Sequence, residues 1–128
     1  MATVTIRQLY DMAVAILFER YGGDDDFDQL SPQFLSRMLQ EALPYENQIR
    51  EYQGREKLKS APMITLIDDT VLDWDDNICK NALVHGLASC LLGDESNKQA
   101  EALIEYNKFV QALDEAAPAI PDWGDDDA

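Results

Sequence analysis

The stretch Asn81-Ala-Leu-Val-His-Gly-Leu-Ala-Ser-Cys-Leu-Leu-Gly-Asp94 holds the chain's only histidine, His85, and one of its two cysteines, Cys90; the other, Cys79, lies two residues upstream. A Cys/His site here would make the chain a candidate enzyme, and a helix-packing surface would make it architectural. On a helical wheel with Ile78 at 0°, Ser89, Ala82, Gly86, Cys79 and Cys90 fall between about 20° and 120°. Val84, Leu83, Leu87 and Leu91 fall between about 140° and 240°, and His85 lies near 340°. Eleven residues of helix separate the thiols by ~16 Å, whereas a disulfide needs Cα atoms within about 7 Å. His85 points away from both. Ala82, Gly86 and Cys90 recur every fourth residue, so a second helix can approach closely along that groove, with cysteine acting as a small hydrophobe. The spacing therefore predicts packing, and His85→Ala is expected to leave folding and assembly largely intact.

Working outward, helices flank this one. Thr5-Ile-Arg-Gln8 has the form of a capping box, and Ile6, Leu9, Tyr10, Ala13, Ile16, Leu17 and Tyr21 share a face before Gly22-Gly23. Ser31-Pro32 signals a second start, with Ser31 as N-cap. Phe34, Leu35, Met38, Leu39 and Ala42 form the apolar face there. Tyr45, Ile49 and Tyr52 continue it past Pro44, which favours one helix kinked near Pro44 and ending by Gly54; two separate helices are the alternative. Met63-Ile-Thr-Leu-Ile67 is a β-rich run, and Asp68-Asp69 offers a turn before Thr70-Val-Leu72. A hairpin or extended arm over about 60–73 is expected. Alone it is marginal, so it needs another surface, or a neighbouring subunit, to lean on. Asp75 or Asp76 can cap the third helix, with Gly93 as its C-cap. Asp94 or Ser96 can cap the fourth, where Ala102, Leu103, Tyr106, Phe109, Val110 and Leu113 form the stripe. The expected fold is a mainly α, four-helix bundle-like single domain over 1–117, with the short β arm between helices 2 and 3. A flexible acidic tail follows over 118–128, carrying Ile120 and Trp123.

The chain has 128 residues, is 46% hydrophobic, and has a formal charge of −15. Of its 25 acids, 15 lie in residues 24–28, 68–76 and 114–128, segments without Lys or Arg; elsewhere acids and bases balance. Such a surface repels DNA phosphates. The start at Met1 lacks a basic and apolar leader pattern, and no run approaches the ~20 apolar residues of a membrane span. Synthesis in a reducing cytoplasm, with no disulfide framework, is expected.

Chemistry finds little footing. Asp24-Asp25-Asp26-Phe27-Asp28 begins like a calcium loop, but Gln29 and Leu35 stand where Gly and Glu are needed. Asp73, Asp75 and Asp76 suit helix capping and dipole compensation. Arg50, Arg55, Lys57 and Lys59 read as a solvated face or a protein contact. No catalytic residue, cofactor or metal is expected.

The run Ile64-Thr-Leu-Ile-Asp-Asp-Thr-Val-Leu72, followed by Trp74-Asp-Asp-Asn-Ile-Cys-Lys-Asn-Ala-Leu-Val-His-Gly-Leu-Ala and an acidic turn, resembles the head–tail connector (adaptor) proteins of tailed bacteriophages. The next helix in that family packs back with an aromatic near its middle, here Tyr106. The resemblance spans about residues 60–115, and over 1–55 holds only in helix order. It implies a virion structural subunit at the head–tail junction, assembled in the bacterial host cytoplasm as a homo-oligomeric ring, often of twelve copies, beneath the portal. The ring extends the DNA channel, through which DNA passes without specific binding, and docks stopper or tail proteins. Met63, Ile64, Leu66, Ile67, Val71 and Leu72 would then pack between subunits, and Ile120 and Trp123 would reach the portal protein. An acidic inhibitor that mimics DNA is the alternative. Mimicry calls for carboxylates spread over a folded face, and here they concentrate in loops and the tail.

Overall fold

The computed structural model describes residues 4–20, 30–94 and 97–117. Among them are four α-helices: α1 (Ile6–Arg20), α2 (Ser31–Tyr52), α3 (Val84–Gly93) and α4 (Gln99–Ala116), with a π-helical stretch, Ile78–Leu83, running directly into α3. The chain is mainly helical and compatible with a bundle, as expected. No described helix is long and apolar enough to cross a membrane. Gly22-Gly23, the aspartate run 24–28, Ser96, and the tail with Ile120 and Trp123 lie outside the described residues.

Several local signals act as the sequence suggests. The Thr5 hydroxyl accepts the Gln8 N–H and the Gln8 side chain accepts the Thr5 N–H, both at 3.0 Å. Two N–H groups that the first turn would leave orphaned are thereby satisfied. Ile6, Leu9, Ala13 and Leu17 are buried at helical spacing. Pro44 lies inside a continuous α2. It sits on the exposed side, where water can satisfy the carbonyl its missing N–H leaves. A Schellman turn closes α2: Arg55 N–H reaches the Arg50 carbonyl (2.7 Å) and Gly54 N–H the Glu51 carbonyl (3.1 Å). Gly54 holds φ +75°, the left-handed region that this turn requires. Asp75 caps the next helical segment, accepting the Asn77 and Ile78 N–H groups.

Other expectations are corrected. The helix holding Asn81–Asp94 does not divide into a small packed face and a large packed face. From Val84 to Leu92 every residue except His85 is buried, so α3 is a central helix, packed against α1, α2 and α4. The π stretch widens the turn, so a 100° wheel begun at Ile78 goes out of phase before α3. Gly93 belongs to α3 and has no positive φ. The fourth helix starts later than Asp94 or Ser96 would set it, at Gln99. Its stripe is rotated: Glu105, Phe109 and Leu113 are buried while Leu103 is exposed.

The expected hairpin does not form. Residues 63–67 do not pair with 70–72. The second half of the arm instead lies antiparallel to the N-terminal residues, with one β-bridge, Thr5–Val71. Leu72 N–H donates to the Val4 carbonyl, Ile6 N–H to Thr70 and Arg7 N–H to Asp68, each at 2.9 Å. The surface on which the arm leans is its own chain.

Candidate functional site

Four polar side chains of α2 hold the arm by its backbone. Asn47 makes a two-way contact with Leu58, its amide donating to the Leu58 carbonyl (2.9 Å) and its oxygen accepting the Leu58 N–H (2.7 Å). The Ser36 hydroxyl accepts the Ile64 N–H at 2.8 Å. Glu46, fully buried, accepts the Asp75 N–H at 2.9 Å and pairs with Arg50 Nε at 2.6 Å. The Arg50 guanidinium donates onward to the Asp73 carbonyl. Trp74, held between these bonds, is buried. Arg50 is thus no member of a solvated basic face, and Glu46 was missed. The signal was present: Glu46 and Arg50 are one turn apart on the same side as Ala42 and Ile49, where a lone charge would be costly and a pair is tolerated. The rest of the basic cluster is exposed, with Arg55 near Asp73 (3.6 Å) and Lys57 near Glu51 (3.8 Å).

This clamp sorts the six arm candidates. Ile67 and Leu72 are buried in the chain's own core, and Ile64 packs against it. Met63, Leu66 and Val71 project outward, 71%, 64% and 51% exposed. The Asp68–Asp69 turn is fixed by the Thr70 N–H on Asp68 Oδ1 (3.0 Å). That bond, aided by Arg7, holds the Asp68 carboxyl below its ordinary value. The carboxylate's contribution to the turn is therefore present above the ordinary Asp pKa and lost as pH falls below it.

Gly86 marks a helix crossing. A β-carbon there would lie 2.8 Å from Phe109 Cδ1 of α4 and 2.9 Å from Met38 Sδ of α2. The expected groove is therefore a contact with two helices at once. Ala82 is buried, and Cys90 borders a cleft of about 600 Å3 between α2, α3 and the first half of α4. Phe34, Arg37, Glu41, Leu103 and Tyr106 line that cleft. Arg37 stacks over the Phe34 ring (5.8 Å) and donates towards Cys90 Sγ (3.4 Å). The Tyr106 hydroxyl donates to Glu41 (2.8 Å), which raises the phenol's pKa. The Tyr106 ring leans on Phe109, 5.6 Å between centroids.

Both cysteines are buried free thiols. Burial first, and then the neighbouring acids Glu46, Asp76 and Asp75, push Cys79 up to about 12. Burial also raises Cys90, opposed by Arg37. A thiol held protonated is a poor nucleophile. In the native protein at pH 8, alkylation of Cys79 is expected to be at least about 100-fold slower than in urea, by mass spectrometry. Rapid native labelling of Cys79 would contradict this packing.

His85 is not idle. Its Nδ1 lies 2.6 Å from Oε1 of Glu105, a fully buried carboxylate that also meets Lys108 Nζ at 3.3 Å. The pair ties α3 to α4 and accounts for the rotated stripe of α4. His85→Ala, expected from sequence to be tolerated, takes a close partner from a buried carboxylate. A loss of about 1–3 kcal/mol in urea denaturation is now expected. An unchanged midpoint would show the contact to be dispensable.

Among the described residues no three His, Cys, Asp or Glu side chains gather as a metal ion would need. The residues that come together are those that fix an arm and cross helices. No protein-family model, curated protein or solved structure matches the chain.

Proposed function

We propose that the chain is a virion structural subunit, a head–tail connector that assembles as a ring beneath a portal, extends the DNA channel and docks stopper or tail proteins. The observation that carries this reading is the arm. Its backbone is fixed by partly buried hydrogen bonds to α2, yet Met63, Leu66 and Val71 face solvent. A rigid segment presenting apolar side chains is suited to a protein contact. The resemblance of about residues 60–115 to the connector family names the kind of contact. The charge of −15 suits a channel wall along which DNA slides without sticking. In this reading twelve copies form the ring, and Ile120 and Trp123 are candidate anchors for the portal.

Imaging assembled particles that carry a tagged copy of the chain tests this. Density for the tag in a ring between the portal and the tail is expected. A tag absent from the particle, together with a monomer that titrates a DNA-binding enzyme, would favour the acidic inhibitor instead.

A further inference from the structure

We infer that neighbouring copies join by an arm-in-cleft contact: Met63 and Leu66 of one copy enter the cleft between α2, α3 and α4 of the next. The inference rests on the ring reading and adds the two surfaces that meet.

The two surfaces lie on opposite flanks of one helix. Ser36, Glu46, Asn47 and Arg50 hold the arm, and Phe34, Arg37, Met38 and Glu41 line the cleft. At ~100° per residue these two sets are roughly 170° apart around α2. Two different patches facing opposite ways give head-to-tail association, which closes into rings when the rotation allows. A patch that met its own copy would give only a dimer.

The cleft, about 600 Å3, has room for both side chains, and its lining includes Leu103, 60% exposed, and Tyr106. Along the arm, Lys57 and Lys59 precede Met63 and Leu66, and Asp68 and Asp69 follow. The cleft presents Glu41 and Asp94 for the lysines and Arg37 for the aspartates. The arm and the cleft lining thus each carry both signs beside apolar side chains, so pairing of opposite charges can favour one register.

A mixing experiment on the full chain tests this contact. One variant carries Met63→Glu with Leu66→Glu; a second carries Leu103→Glu. All three positions are exposed, so both variants are expected to fold with the wild-type melting temperature. The wild type should form high-mass assemblies, and each variant alone should run as a monomer by native mass spectrometry. Mixed, the variants should form a 1:1 dimer and nothing larger, because one intact arm meets one intact cleft. If the wild type assembles while either variant does too, or while the mixture stays monomeric, the arm-in-cleft contact is wrong and the ring reading stands. A wild type that stays monomeric at high concentration, alone and with a purified portal, overturns both.

Discussion

Arg50→Ala is expected to destabilise the protein by about 3–5 kcal/mol, the usual result of removing one partner of a buried ion pair. Glu46 is fully buried, and Arg50 supplies its 2.6 Å contact. Without the guanidinium, the carboxylate keeps its bond to the Asp75 N–H but loses its counter-charge, and the Asp73 carbonyl loses a donor. The effect should spread along the arm. Amide exchange from Leu72 to Asp75 should accelerate with the global unfolding, and Trp74 fluorescence should report an opened environment. Replacing both partners with apolar residues, Glu46→Leu with Arg50→Met, should cost far less than the single change, because no charge is then stranded. A single Arg50→Ala variant with unchanged stability and an unchanged Trp74 signal would mean that the arm is held by something else.

Gly86→Leu is expected to reach or exceed the top of the ~1–3 kcal/mol range for overpacked cores. The first added carbon already meets Phe109 and Met38 inside 3.0 Å, and leucine brings three more carbons beyond it. Gly86→Ala is a milder case. Helix propensity favours alanine over glycine by about 1 kcal/mol, and the flexible Met38 side chain can give way more easily than the Phe109 ring. Because the buried Phe109 ring, 2.8 Å from the added carbon, must shift as well, the alanine variant should still lose stability, towards the low end of the ~1–3 kcal/mol overpacking range, while leucine melts far lower. Combining Gly86→Leu with Phe109→Ala should be markedly less harmful than the two losses added, since one change makes room for the other. Equal melting temperatures for wild type and Gly86→Leu would refute the three-helix crossing.

What could be read from the sequence was local and repetitive. The Thr5–Gln8 box, the face of α2 continuing past Pro44 to Ile49, the Asp75 cap and the small residue at 86 each depend on neighbours three or four positions away and take their expected roles, whereas Tyr52, expected on that face, is 70% exposed. The misses depended on distant partners. Nothing near Glu105 shows that His85, twenty residues earlier, will meet it, so the apolar residues of α4 alone point to a stripe that leaves Glu105 out. Nothing in Met63–Leu72 shows that Thr70 and Leu72 will pair with the N-terminal residues in place of their own hairpin. The π stretch at Ile78–Leu83 has no composition of its own, yet it alters the phase on which the wheel was built. The candidate contacts were half legible. The apolar character of the arm was plain, but which of its side chains turn inward depends on Ser36, Asn47, Glu46 and Arg50, polar residues that an apolar pattern passes over.

The most direct test of the proposed assembly is the mass of the full chain in solution, measured by native mass spectrometry alone and with a purified portal ring. A closed multimer of the chain, or its stoichiometric capture as a ring on the portal, is the expected result. A chain that remains monomeric at every concentration and leaves the portal unoccupied would contradict it.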